Sequence, residues 1–158
     1  MIQHIKGNAI EVEADLLVNA ANSKGWMGGM LGRFISMRGV AETIHYADPS
    51  IEKAAKKEAR KRGVSCGDVF LTSAGSLGFP SGLLHAVTVE KPGQTSTIGI
   101  VEMCLENIVR FCEEEGVKTV ALPLLGTGTG KVKADEVLRV YESKLEKSEV
   151  LFYIVTFG

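Results

Sequence analysis

The sequence has little cysteine and few aromatic residues. Only three of its 158 residues are cysteines, Cys66, Cys104 and Cys112, and no Cys-x-x-Cys pair occurs. An odd number of cysteines without that spacing argues against a disulfide framework and against a cysteine-ligated metal site. We therefore expect reduced thiols, and we predict neither a metal nor a cofactor.

Long hydrophobic runs and an excess of one charge sign are also missing. No apolar stretch reaches the roughly 18 residues that cross a membrane, and the first residues lack a signal-peptide pattern. The net charge is −1, so the molecule as a whole lacks the charge of a nucleic-acid-binding protein. We expect a soluble, cytoplasmic, monomeric protein with one domain, residues 1–158, and no membrane or nucleic-acid partner.

Glycine, in contrast, is abundant, and many of the 18 glycines fall in two loops that each follow a hydrophobic run. The first segment is Val18–Gly29 and the second is Leu122–Gly130. Each has the order strand, glycines, helix, which aims main-chain N–H groups and a helix N-terminus at an anion. Two such loops in one small domain favour a ligand with several polar groups, such as a diphosphate that carries a sugar.

The periodicity of apolar residues predicts alternating strands and helices. The predicted strands cover residues 2–6, 16–18, 68–73, 83–89, 118–125 and 150–157, and the predicted helices cover residues 29–37, 49–62, 98–115 and 134–147. Asp48-Pro49 is typical of an N-cap followed by proline at the first helical position, and Gly63 and Gly116 are typical helix ends. Near-continuous apolar strands between helices predict a three-layer α/β/α sandwich with a mixed sheet.

The second glycine loop does not match two common phosphate-binding motifs. A P-loop would need glycine at Leu125 and serine or threonine at Val132, and the dinucleotide motif would need glycine at Lys131. What remains is the Gly-Thr-Gly-Thr-Gly turn of residues 126–130. Either its amides and hydroxyls hold a diphosphate, or its glycines only supply positive φ in a tight connection.

In the first loop, Asn19 and Asn22 bracket two alanines. An amide side chain both donates and accepts hydrogen bonds, which suits ribose hydroxyls, but asparagine also forms turns and local caps. Trp26 is either a lid over the ligand or an anchor of the loop. His85 lies in the middle of an apolar strand, and we expect a hydrogen-bonded core histidine there.

Several short motifs, in their order and spacing, resemble the macro domain family. These motifs are Gly7–Ile10, Asp15–Asn22, Gly28–Leu31, Gly67–Val69, Leu84–Val87 and Leu122–Gly128. The resemblance implies a mixed central sheet of six or seven strands between helices. It also implies a cleft for ADP-ribose at the carboxyl ends of the strands.

The resemblance further implies a role for individual residues. Asn8, Ala9 and Ile10 would lie at the adenine, and Asn22 at the distal ribose, where it is also the candidate catalytic residue. The glycine segments would hold the diphosphate. The full ligand-binding prediction is Asn8, Ala9, Ile10, Asn19, Ala20, Asn22, Gly28, Gly29, Met30, Leu31, Leu125, Gly126, Thr127, Gly128, Thr129 and Gly130.

Three residues depart from the family pattern. Asn8 stands where family members commonly have aspartate, and Gly130 where the second loop often has an aromatic residue. Gly32 stands where hydrolytic members have aspartate, so the usual side-chain base is missing. Two functions therefore remain open. One is a hydrolase acting on ADP-ribose 1''-phosphate, O-acetyl-ADP-ribose or protein-linked ADP-ribose, and the other is a non-catalytic ADP-ribose-binding module.

One charged segment has its own alternatives. Residues 53–62 contain six lysines and arginines and a single glutamate. Such a run is typical of a solvated helix face, and it could also attract RNA or poly(ADP-ribose). Since the net charge is near zero and no aromatic residue is interleaved, we favour the solvated face.

Overall fold

The structure is a computed structural model that describes residues 1–25, 43–44, 47–91, 93–128 and 130–156. The strands are β1 (Ile2–Lys6), β2 (Leu16–Asn22), β3 (Val69–Thr72), β4 (Gly82–Val89), β5 (Thr119–Pro123) and β6 (Leu151–Thr156). The helices are α1 (Pro49–Arg62), α2 (Ile98–Glu115) and α3 (Ala134–Leu145), with a 3₁₀ turn at Ala9–Glu11. The predicted helix 29–37, Trp26, Gly28–Gly32 and Thr129 lie outside the described residues.

The six described strands form one mixed sheet in the order β1-β6-β5-β2-β4-β3. All neighbouring pairs are parallel except β3 with β4, which is antiparallel. The antiparallel edge follows from the short connection between these two strands, because a parallel pair needs a longer crossover. The predicted mixed sheet is therefore confirmed.

Each face of the sheet is covered by helices. On one face α2 and α3 pack through residues such as Leu105, Ile108 and Tyr141 against side chains that include Leu16 and Val120. On the other face α1 packs on the alternate strand positions, for example Leu17 and Ala121. Since successive strand residues point to opposite faces, near-continuous apolar strands supply both cores. The predicted three-layer α/β/α sandwich is confirmed.

The helix ends follow their sequence signals. Asp48 Oδ1 accepts a hydrogen bond from the Ser50 N–H at 3.1 Å, and Gly63 closes α1 with φ at 62°. Thr97 caps α2 by accepting from the Ile100 N–H at 3.2 Å. The predicted bounds of α1 and α2 are therefore confirmed. Among the described helices, none combines the length and the apolar composition that crossing a lipid bilayer would require.

The prediction that Asn19–Asn22 form part of a loop is wrong. These residues continue β2, because their backbone stays paired with β4 as far as Asn22 beside Val89. Small and amide residues have weak strand propensity on their own, and here the pairing with a long central neighbour overrides that weakness. The first glycine loop therefore starts at Ser23, after the last residue of β2.

Candidate functional site

The chain reverses its winding direction between β5 and β2, which are neighbours at the centre of the sheet. After β2 the chain goes to α1 on one face, whereas after β5 it goes to α3 on the other face. The helices that follow β2 and β5 thus lie on opposite faces of the sheet, which makes the carboxyl ends of these two strands a topological switch point with a crevice between them. In open α/β sheets this position is where ligands bind.

The pairing of β2 and β5 shows where the crevice opens. Only Leu16 and Leu17 of β2 pair with β5, whereas β2 remains paired with β4 for five further residues. The two central strands thus separate toward their carboxyl ends. Ala20 is the only residue of β2 that is not buried. This separation makes room for a ligand between the strands' ends, and Ala20 lies on the section of β2 beyond the last β5 pair.

The loop that follows β5 offers main-chain amides at this edge. Gly126 has φ at 78°, and a Cβ at Gly128 would meet no atom of the described residues within 4 Å. No described residue accepts a hydrogen bond from the N–H groups of Gly126 or Gly128. Main-chain N–H groups in a glycine-rich turn of this kind can form an anion-binding concavity. The Thr127 hydroxyl, which we predicted as an additional donor, donates to the Leu124 carbonyl at 2.8 Å and is therefore already used.

Tyr141 of α3 holds the start of this loop. Its hydroxyl accepts the Leu125 N–H at 2.8 Å and donates to the Pro123 carbonyl at 2.7 Å. Burial raises the pKa of Tyr141 well above its usual value, so the phenol stays protonated. Leu125 is fully buried and its amide is engaged, so it supports the loop and offers no donor to a ligand. The spacing of apolar residues in the helix predicted over residues 134–147 places Tyr141 on its inward face. A buried hydroxyl needs hydrogen-bond partners, and this requirement is the signal that could have indicated its contact with the loop.

The far end of the loop folds back on its beginning. A Cβ at Gly130 would lie 2.6 Å from the Gly126 carbonyl oxygen, so this close approach requires glycine. The Gly126 carbonyl accepts the Val132 N–H at 2.8 Å, and the Gly130 carbonyl accepts the Ser96 N–H at 2.8 Å. The loop is thus closed by its own backbone and attached to the segment before α2. Its outer turn, at Gly128, faces open space.

The segment after β1 reaches the same edge of the sheet. The Gly7 N–H donates to the Thr156 carbonyl at 2.8 Å, which places this turn beside the end of β6. Asn8 Oδ1 accepts the Ile10 N–H at 3.2 Å and so caps the 3₁₀ turn. Ala9 is buried, whereas Asn8 and Ile10 are half-buried. A carbonyl oxygen has two lone pairs, so Asn8 can cap this turn and still accept from a ligand.

Asn22 is the last residue of β2 and its side chain is oriented locally. Its Oδ1 accepts the Lys24 N–H at 3.0 Å. Ser23 then turns toward β4, with its hydroxyl donating to the Glu90 carbonyl at 2.6 Å. Asn22 thus forms a local turn, which is one of the two roles, beside contact with a ribose, that the sequence leaves open for it. The same hydrogen bond fixes its amide at the carboxyl end of the strand.

Asn19 is not part of the site at the carboxyl edge of the sheet. It has no exposed surface, and its Nδ2 lies 3.1 Å from His85 Nδ1. The other ring nitrogen of His85 lies 2.8 Å from the Thr72 hydroxyl, and burial lowers the pKa of His85 to about 3. The predicted core histidine is confirmed, and the prediction that Asn19 contacts a ligand does not fit its burial. This polar chain instead joins β2, β4 and β3.

Glu90 is the carboxylate beside the ends of β2 and β4. Its Oε1 accepts the Cys66 N–H at 3.3 Å, which directs it toward β3 and away from the crevice. Hydrogen bonds from Cys66 and Ser23 lower the pKa of Glu90, and a more acidic carboxylate is a weaker base. The pKa of the Cys66 thiol is raised, mainly by burial, so it is not activated. We assign neither group a role as base or nucleophile.

Comparison with known proteins defines the class. The Macro domain family model matches residues 18–141, and the chain belongs to this family. An uncharacterized protein of Aquifex aeolicus is 34% identical, over 94% of this chain and 82% of that protein. A DNA ADP-ribosyl glycohydrolase of Thermus aquaticus is 30% identical, over 94% of this chain. This chain spans 39% of the length of that glycohydrolase.

Solved structures show the same fold. The macrodomain of Thermus aquaticus DarG superposes with a TM-score of 0.83 at 29% identity, covering 99% of this chain and 98% of that one. Thermosipho africanus DarTG in complex with ADP-ribose superposes with a TM-score of 0.80 at 22% identity, covering 98% of this chain and 41% of that one. The predicted resemblance to macro domains is confirmed.

Proposed function

We propose that this chain binds ADP-ribose in the crevice between β2 and β5 and removes it from a nucleic-acid carrier. The observation that carries the proposal is that no described residue accepts a hydrogen bond from the N–H groups of Gly126 and Gly128, next to the point where β2 and β5 separate. A diphosphate is a doubly charged anion, and main-chain N–H groups in such a turn bind anions without a lysine or arginine.

The other predicted contacts would lie around that position. Asn8 and the 3₁₀ turn, at the end of β1, would hold the adenine. The amide of Asn22, fixed by its hydrogen bond to Lys24, would contact the distal ribose. Ala20 would allow the ligand to approach β2 closely, because its side chain is a single methyl group. Asn19 and Leu125 are left out of this site, since both residues are fully buried and the Asn19 Nδ2 and the Leu125 N–H are bonded within the protein.

A nucleic-acid carrier is favoured by the relatives. The Thermus aquaticus relative is named as a DNA ADP-ribosyl glycohydrolase. In the reaction we propose, water forms a bond to the anomeric carbon of the distal ribose. The bond to the carrier breaks, and the carrier leaves with the electron pair and a proton. This chain would supply binding and orientation, since Gly32 replaces the family's aspartate, and a diphosphate oxygen of the substrate would position the water.

The second candidate is a binding module without turnover. The replacement of the usual carboxylate by Gly32 favours it, because a general base commonly contributes about 10²–10⁴-fold in rate. The two candidates share the same cleft and the same contacts. They differ only in whether the bond at the distal ribose is broken.

The binding part is tested by placing a side chain at Gly128. Because a Cβ there meets no atom, Gly128→Val should fold normally, with unfolding free energy within about 0.5 kcal/mol of the parent. Its branched side chain should weaken ADP-ribose binding at least about 100-fold, a loss of about 2.7 kcal/mol. The measurement is calorimetric titration with ADP-ribose, with ADP and AMP in parallel.

Gly78→Val is the matched control for this variant. Gly78 is equally open and exposed, but it lies in the β3–β4 connection at the opposite edge of the sheet. Its affinity for ADP-ribose should equal that of the parent. Equal affinities of Gly128→Val and the parent would refute the proposed cradle.

Turnover then separates the two candidates. The parent and Gly128→Val are incubated with an ADP-ribosylated single-stranded oligonucleotide, ADP-ribose 1''-phosphate and O-acetyl-ADP-ribose, and released ADP-ribose is quantified. Release from the oligonucleotide by the parent alone supports the hydrolase. Tight binding without release from any of the three substrates would support the binding module.

A further inference from the structure

The charges of the chain are segregated between the two faces of the sheet. Helix α1 carries six basic and two acidic residues, a net charge of +4, although the whole chain has a net charge of −1. Helix α2, on the opposite face, carries five glutamates and one arginine, a net charge of −4. A near-neutral total therefore conceals a large difference in charge between these two helices. Such a field attracts and orients a polyanion at the α1 face.

Within α1, three exposed basic residues form one stripe. Lys53, Lys57 and Arg60 follow each other at intervals of four and three residues, which places them on the same side of the helix. Two other cations of the helix form ion pairs, Lys56 with Glu52 at 3.3 Å and Arg62 with Glu58 at 3.1 Å. Removal of the stripe therefore breaks neither of these pairs.

The stripe leads to the carboxyl edge of the sheet. A groove of about 550 Å³ lies between α1 and the ends of β2 and β4, and Ser23, Lys24, Arg60 and Glu90 are among its lining residues. The loop after β2 lies directly on the helix, since a Cβ at Gly25 would be 2.6 Å from the Ala55 carbonyl oxygen. The Glu90 carboxylate is held by the Cys66 N–H. Lys24 and Arg60 therefore bring positive charge to a groove that begins one residue after Asn22.

We propose that this groove and the stripe of Lys53, Lys57 and Arg60 bind the phosphate backbone of the single-stranded nucleic acid that carries the ADP-ribose. The inference deepens the proposed function and rests on it for the direction in which the strand runs. Asn22 is the proposed contact of the distal ribose, to which the carrier is joined. A strand leaving that ribose beside β2 would pass over Ser23 and Lys24 and then over α1.

The chemistry of the surface favours a phosphate backbone over an acidic protein. Specific protein interfaces have an apolar centre with aromatic residues or methionine. The exposed large hydrophobic residues of the described chain are Met1, Leu71 and Met103, and none of them belongs to α1 or to the groove. Binding to phosphates requires only lysine and arginine. Since neither α1 nor the described lining of the groove has an aromatic residue for stacking, this binding should be independent of sequence.

The test is the salt dependence of binding to a fluorescein-labelled, unmodified single-stranded DNA, measured by anisotropy between about 50 and 200 mM salt. Each neutralised phosphate contributes about −0.7 to the slope of log K against log salt for single strands. The triple variant Lys53→Gln, Lys57→Gln, Arg60→Gln should therefore have a slope smaller in magnitude by about 2. The matched control is Arg110→Gln, Arg139→Gln, Lys144→Gln, which removes the same charge from α2 and α3 and should keep the parent's slope.

Free ADP-ribose is titrated into all three proteins to separate this surface from the cleft. Equal ADP-ribose affinity in the three, with a smaller DNA slope in the α1 variant alone, supports the proposal. An equal decrease in both triple variants would overturn it, because net charge alone would then explain binding. No DNA binding by the parent, or equal binding of a polyglutamate of the same charge, would also overturn it. Failure of the parent to bind ADP-ribose, with the DNA slopes as expected, would refute the proposed function and leave the surface standing.

Discussion

Replacing Tyr141 with phenylalanine tests how the diphosphate loop is held. The hydroxyl is fully buried and bonds both the Leu125 N–H, at 2.8 Å, and the Pro123 carbonyl, at 2.7 Å. Phenylalanine keeps the ring packing but leaves one buried donor and one buried acceptor without their partner. Each such group costs about 1–3 kcal/mol, so we expect a loss of about 2–6 kcal/mol for the two groups together. That loss is a large part of the 5–15 kcal/mol that is typical of a domain.

The substitution should also weaken ligand binding, because the hydrogen bonds of Tyr141 to Leu125 and Pro123 fix where the loop starts after β5. We expect ADP-ribose affinity to fall about tenfold, which corresponds to about 1.4 kcal/mol. Stability is measured by urea unfolding followed by circular dichroism, and affinity by calorimetric titration. Tyr153→Phe is the control: Tyr153 is half-buried in β6, and its hydroxyl makes no hydrogen bond to a described residue.

A stability change below about 0.5 kcal/mol in Tyr141→Phe would refute the reasoning, since it is the usual range for surface substitutions. A similar loss of stability in Tyr153→Phe would also refute the reasoning. Lower stability with unchanged ADP-ribose affinity would keep the structural role of Tyr141. It would show that this structural role does not affect ligand binding.

Two further predictions concern the buried polar chain and the closed end of the loop. Because the pKa of His85 is lowered to about 3 in the folded protein and is about 6.5 when unfolded, the unfolded state binds more protons below pH 6.5. Stability should therefore fall by about 2 kcal/mol between pH 7.5 and pH 5, and urea unfolding of His85→Gln should not show this dependence. Gly130→Ala should destabilise the protein by about 1–3 kcal/mol, because its Cβ would lie 2.6 Å from the Gly126 carbonyl oxygen. Gly128→Ala, which meets no atom, should leave the thermal midpoint unchanged, and equal midpoints of the two alanine variants would contradict the described loop closure.

Much of the fold is encoded in short stretches of sequence. The helix α1 begins at the proline after Asp48 and ends before Gly63, and α2 begins after Thr97 and ends before Gly116. These bounds follow from capping chemistry and from the spacing of apolar residues, which act within a few residues of chain. The apolar strands between them imply a sheet covered on both faces. Gly126 and Gly128 are likewise recognisable as candidates for an anion-binding turn from their spacing alone.

The strands and helices, the layered architecture and the two candidate loops therefore follow from local sequence. Three features depend instead on how these elements pack: Asn19 is bonded to His85 and buried, Tyr141 holds the loop after β5, and the basic surface of α1 ends in a groove beside β2. The physical reason is that caps and periodicity are local. The partners of a buried polar group and the side on which a helix packs depend on how the strands and helices pack. This packing joins Asn19 to His85, 66 positions apart, and Leu125 to Tyr141, 16 positions apart. The same holds for charge, because a total of −1 gives no information on how α1 and α2 divide it.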